Sequence, residues 1–172
     1  MVQSIIRSIL YGARLIDNMT LVAINKIGSE QAHSTTNTLN AYAWLLDYIA
    51  TYPNPLITLK KSDMMLAVVS NSSFLSVSKS RSRVGGYHFL SNITNPKIPL
   101  GNQVIFCKVL IYIKASILKN IMCMVGKIKI ATTFINTKLA IPKRICLLEI
   151  GYPQLATLFV INNTIAYDIL TK

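Results

Sequence analysis

Three runs rich in β-branched and aromatic residues follow one another with only short connections between them. They are "MLAVVS" from Met65, "RVGGYHFLSN" from Arg83 and "QVIFCKVLIYI" from Gln103. Because these connections are short, the strands are expected to pair antiparallel. "LITLK", from Leu56, reads as a further short strand, and the polar residues after Ser70 read as a small turn. From about Ile117 to Leu148 the apolar period becomes helical, and Pro142 is expected in the first turn of a second helix that ends at "GYPQ". A late apolar strand, "ATLFVI", and the opening of a helix, "IAYDILTK", complete the series. Upstream, Ile5, Ile6, Ile9, Leu10 and Ala13 fall on one helical face. Leu39, Tyr42, Ala43, Leu45, Leu46 and Ile49 do so on a second helix closed by "YPNP". The expected fold class is α/β: a mixed sheet whose first three strands are antiparallel and whose later strand lies beside the first. Helices flank it and a helical appendage precedes it, with segments 1–58 and 59–172.

Composition narrows the partners. Eighteen Lys and Arg against six Asp and Glu give the 172 residues a formal charge of +12, which reads either as an anionic partner, nucleic acid ahead of membrane, or as solvated charge scattered along the chain with no single patch. The most apolar stretch, from Val104 to Ile130, is broken by Lys108, Lys114, Lys119, Lys127 and Lys129. A spanning helix needs about 20 predominantly apolar residues, so no membrane span is expected. The three cysteines, Cys107, Cys123 and Cys146, form no close pair. Neither His33 nor His88 stands at a zinc-type spacing from them. With no secretory signal, the chain is expected in a reducing intracellular compartment, cytoplasm or nucleus. Gly85-Gly86 reads as a close approach between strands. Tyr42, Trp44 and Tyr48 read as the packing face of a helix, and Met122 and Met124 as core filler.

The stretch "SDMMLAVVSNSSFLSVSKSRSRVGGYHFLSN" resembles the opening of the ribonuclease H domain in copia-type LTR-retrotransposon polyproteins. The pattern there is close to S-D-M-x-L-x-x-x-S-D-A-S-Y-L-S-x-x-K-x-R-S-R-x-G-G-x-x-F-L-S. The matched residues are Ser62-Asp63-Met64, Ser73 to Ser76, Lys79, Arg81-Ser82-Arg83, Gly85-Gly86 and Phe89-Leu90-Ser91. Upstream, "SILYGARLIDNMTLVAI" and "LLDYIATYPNPLI" resemble the segment that joins the reverse transcriptase to that domain. Downstream, "FINTKLAIPKRICLLEIGYPQLAT" and "NNTIAYDIL" resemble its helices and fourth strand.

The resemblance implies a ribonuclease H-like domain, whose family hydrolyses the RNA strand of RNA–DNA hybrids with two Mg2+ ions held between carboxylates. Carried over position by position, the first aspartate falls on Asn71, the glutamate on Lys129 and the second aspartate on Asn162. A neighbouring acidic position falls on Lys127, and a fourth carboxylate would lie beyond Lys172, as in a C-terminally truncated copy. The expectation is therefore a domain with no intact catalytic residue, no metal and no cofactor. Asp→Asn and Glu→Lys each need one G-to-A change, so decay of a retroelement copy under directional mutation would produce this pattern. Three functions remain open on sequence alone: an inactive remnant, a basic module binding an RNA–DNA hybrid or other nucleic acid through residues such as Lys79, Arg81 and Arg83, and a residual nuclease. For Arg81 and Arg83 the competing reading is solvated charge on a hairpin.

Overall fold

A computed structural model describes residues 2–93 and 105–171. The chain divides into two compact units, Met1–Thr58 and Leu59–Lys172.

The first unit holds α1 (Val2–Leu15), α2 (Leu21–Ser29) and α3 (Thr36–Thr51), with 3₁₀ turns at Asn18–Thr20 and Gln31–His33. Sequence periodicity predicts two helices here; α2 is a third. Its buried residues Leu21, Ile24 and Ile27 recur every three positions, but over only nine residues, too few to stand out as a repeat. Thr35 caps α3: its hydroxyl accepts the Thr38 N–H, while the Thr38 hydroxyl accepts the Thr35 N–H. The packing face expected for α3 is narrower than the pattern implied. Leu45 is buried, whereas Leu39, Leu46 and Trp44 are exposed, Trp44 by 74%.

The second unit is a four-stranded mixed sheet in the order β3-β2-β1-β4. β1 (Met65–Val77) pairs antiparallel with β2 (Arg81–Ser91), β2 antiparallel with β3 (Val109–Ile117), and β1 parallel with β4 (Leu158–Ile161). The expected turn after Ser70 is absent: β1 runs on through Asn71, paired with Gly85, to Ser73, paired with Arg83, and a bulge follows. Leu75, at φ 48°, sits in that bulge, and its N–H is received by the buried Ser82 hydroxyl. The chain reverses only at Ser78–Ser80, where Lys79 and Ser80 both take positive φ. Leu56–Lys60 is not a strand; the Lys60 N–H makes a single bond, of 3.0 Å, to the Lys108 carbonyl. The loop expected over residues 92–102, and the first two residues of the strand expected from Gln103, lie from residue 94 outside the described residues.

α4 (Val125–Glu149) crosses β1 and β2, and α5 (Thr164–Thr171) follows β4. The expected helix boundary at Pro142 does not occur. Pro142 lies inside one 25-residue helix, on its exposed side, where the carbonyl left without a partner N–H can turn to water. The helical period expected from Ile117 starts later, because Ile117 still belongs to β3. Met124, expected in the core, is 57% exposed, and Met122 is half-buried.

The face α4 turns to the sheet is unusually polar: Ile128, Lys129, Thr132, Thr133, Asn136, Ala140 and Leu147, at spacings of three and four. Toward its C-terminal half the contact is apolar, with Leu66, Val68, Leu90, Ala140 and Leu147 in one cluster. Toward its N-terminal half it is made by Asn136, which is fully buried. The Asn136 amide donates to Ser70 Oγ and to the Gly85 carbonyl, both at 3.0 Å. It fits because Gly86 has no side chain: a Cβ there would stand 2.1 Å from Asn136 Oδ1. Past the helix, the Gln154 amide accepts from the Leu66 N–H and donates to the Met64 carbonyl, extending the edge of β1. The Arg144 guanidinium holds the Gln154 and Leu155 carbonyls.

Gly86→Ala is therefore expected to destabilise the sheet unit by about 2–4 kcal/mol, because the added methyl displaces an amide that cannot move without losing both donor bonds. Denaturant unfolding of the two proteins measures it; a change within about 0.5 kcal/mol, the range of ordinary surface substitutions, would show that Asn136 does not hold α4 in place.

Candidate functional site

Lys129 stands one turn into α4, and burial of its neighbour Ile128 (0% exposed) points this part of the helix at the sheet. The lysine itself is only 8% exposed. Its ammonium donates to Asn71 Oδ1 at 2.6 Å, to the Ser72 carbonyl at 2.9 Å and to Asn162 Oδ1 at 2.9 Å. Asn71 comes from the middle of β1 and Asn162 from the residue after β4, two strands that run parallel and adjacent. Three segments far apart in sequence thus meet on one nitrogen, and all three of its protons are used. Burial pushes the lysine pKa below its ordinary 10.5. Both asparagine residues are exposed, so their amides cover the ammonium while staying in contact with water.

This donor set does not fit a divalent metal. Mg2+ is held by hard, largely anionic oxygens. Here the oxygens are two neutral amides and one peptide carbonyl, already gathered around a positive charge. Among the described residues no three His, Cys, Asp or Glu side chains come together. Asp63 is engaged elsewhere, accepting the Ile93 N–H at 2.9 Å.

The other sequence candidates are not drawn into this cluster. Lys127 is exposed on α4, and Lys79 is exposed in the β1–β2 turn. Arg81 donates from Nε to the Ser78 carbonyl at 3.2 Å, and Arg83 is half-buried beside Ser73 and Ile117 on the neighbouring strands.

A second polar group, around His88, was not legible in the sequence. His88 is fully buried, with its Nε2 3.4 Å from Asn136 Oδ1. Because the Asn136 nitrogen is spent as a donor, its oxygen is the acceptor, and Nε2 carries the imidazole proton. That leaves Nδ1 buried without a partner. Tyr112 meets the ring edge-on at 5.6 Å, and the Lys143 ammonium lies 4.4 Å from the Tyr112 ring centre while donating to the Leu139 carbonyl. Burial first, and the Lys143 charge second, push the His88 pKa down to about 4, against a smaller opposing effect of Asn136. His88 is two residues past Gly86 and so on the same face of β2, but that this face is the one turned to α4 comes from the structure alone.

Comparison of the chain with protein-family models, with curated proteins and with solved structures returned no match.

Two outcomes follow. Lys129→Met should destabilise by about 1–3 kcal/mol, since three oxygens lose a charged donor, and Lys129→Glu by more, since it sets a carboxylate against them. Equal stability of the three proteins in chemical denaturation would remove Lys129 from any structural role. For His88, the folded value lies below the unfolded 6.5, so its contribution is present above pH 6.5 and lost as pH falls through about 4. The loss is of order 3 kcal/mol, and His88→Gln should flatten that part of the stability-versus-pH curve. Parallel curves for the two proteins would contradict it.

Proposed function

We propose that the Leu59–Lys172 unit is a ribonuclease H-like domain of copia-type retrotransposon origin that no longer cleaves nucleic acid, preceded by a remnant of the segment joining it to the reverse transcriptase. The observation that carries this reading is the meeting of Asn71, Lys129 and Asn162 on one ammonium. These are the positions where the resemblance expects metal-binding carboxylates, and residues that resemble a dispersed site should converge in space if the resemblance is more than local. The mixed sheet, with β4 parallel beside β1, supports the same reading.

The chemistry of the cluster explains the loss. Two-metal hydrolysis needs carboxylates to gather cations around the scissile phosphate. Lys129 supplies one fixed positive charge whose three protons are already donated, leaving no base to activate water and no acid to protonate a leaving oxygen. A second reading, a non-catalytic nucleic-acid-binding module, is favoured by one observation: no Asp or Glu occurs between Asp63 and Glu149, a stretch that carries twelve Lys and Arg.

The test compares the wild type with the triple variant Asn71→Asp, Lys129→Glu, Asn162→Asp. The wild type should leave a labelled RNA–DNA hybrid intact in Mg2+, and its melting temperature should not respond to the ion. The variant should melt lower in chelator, through repulsion among three carboxylates, and recover when Mg2+ is added. Chelator-sensitive cleavage by the wild type would overturn the proposal, as would a variant whose melting ignores Mg2+.

A further inference from the structure

The sheet has a second face. Along β2, Ser82, Val84, Gly86 and His88 are buried and lie on the side of Asn136 and α4. By alternation Arg81, Arg83, Gly85 and Tyr87 lie on the opposite side. Among the described residues α4 is the helix that packs across β1 and β2, and it covers only the first of these faces. On the opposite face the paired Ala67 and Phe89 are buried, and exposure begins one row further along, at Tyr87, which is 49% exposed.

Strand register sets what surrounds that ring. Tyr87 is flanked by Val69 on β1 and Ile113 on β3, which support it from either side. The next row on this face is Asn71, Gly85 and Ala115, and the row after it is Ser73, Arg83 and Ile117. The middle row is low: Gly85 has no side chain, Ala115 only a methyl, and the Asn71 amide is turned to Lys129. A shallow trough therefore separates the Tyr87 phenol from the Arg83 guanidinium, about 13 Å apart along the strand at its usual rise. Beyond Arg83, Arg81 and Lys79 continue the positive charge to the tip of the hairpin, and the sheet's own sequence contributes no carboxylate to oppose it.

We infer that this face of β1, β2 and β3 binds single-stranded nucleic acid, with a base stacked on Tyr87 and the adjoining phosphates held by Arg83, Arg81 and Lys79. The charge demands an anion, and the exposed ring beside a side-chain-free floor selects one with an accessible π-face. Paired bases in a duplex hide that face within their own stack. An acidic peptide would satisfy the cations but would leave the ring without a partner. The hydrogen bonds of Lys129 involve neither Tyr87 nor Arg83, and the inference does not rest on the ancestry proposed above.

The experiment is fluorescence anisotropy with the full chain and a labelled oligo(dT) or oligo(U), alone and annealed to its complement, over a range of salt. Single strands should bind more tightly than duplex. Tyr87→Ala should weaken single-strand binding about tenfold at every salt concentration, while Tyr87→Phe should keep most of it. Arg81→Gln and Arg83→Gln should each lower the slope of log affinity against log salt by about 0.7. Circular dichroism melts of each variant confirm that the fold is intact, and Tyr87→Phe controls for the loss of the ring alone. Three results would each overturn the inference: duplex bound as tightly as single strand, folded Tyr87→Ala binding like wild type, or polyglutamate of matched charge displacing the oligonucleotide as well as unlabelled DNA does.

Discussion

The seat of α4 on the sheet depends on one amide placed where a strand has no side chain. Asn136 fits over Gly86 and bonds the Ser70 hydroxyl and the Gly85 carbonyl. A helix packed only by apolar residues can slide or rotate at modest cost; one fixed by an oriented, fully buried amide cannot, because any displacement strands its polar atoms. This fixed point determines the rest. The apolar cluster around Leu66, Val68 and Ala140 then falls one turn away, and His88 falls under the same helix on the neighbouring position of β2. Lys129 lies seven residues before Asn136, two turns back on the same face, which delivers its ammonium to the middle of β1 and the end of β4.

The Lys129 cluster and the His88 group differ in how burial is compensated. The lysine keeps its charge by surrounding it with oxygens that themselves reach water, so the burial of a cation is eased by its partners. The histidine has no such route. One nitrogen has a long contact to Asn136, the other has none, and a lysine stands nearby, so the ring remains neutral. Two groups that can both carry positive charge, one on α4 and one on β2, lie between that helix and the sheet, and the water-accessible amides separate their behaviour.

Much of the sheet could be read in the sequence, because antiparallel strands joined by short links leave a local signature. The parallel placement of β4 beside β1 was legible only as topology. What escaped was local continuity. β1 continues past Ser70 because β2 keeps pairing with it, a contact that polar residues at 71–73 do not advertise. α4 passes through Pro142, and over Gly126 and a run of β-branched residues, because tertiary contact with the sheet outweighs intrinsic propensity. Of the site, the residue types at 71, 129 and 162 could be assigned only through resemblance. Their hydrogen-bonded meeting depends on a register and a helix phase that no linear pattern contains. Asn136 and His88 were silent for a related reason: a lone buried polar residue acquires meaning only from what lies across from it.

The ammonium that ties α4 to β1 and to the end of β4 is part of the chain. A dissociable ion in such a place makes local order a function of its free concentration, with an occupied and an empty state. A tethered cation has no empty state: it cannot be diluted, chelated or exchanged for a competitor, and it has no association step to complete during folding. The link between these three segments therefore has a single remaining control, the proton, and because burial lowers the lysine pKa that control acts at a less alkaline pH than it would for a lysine in water.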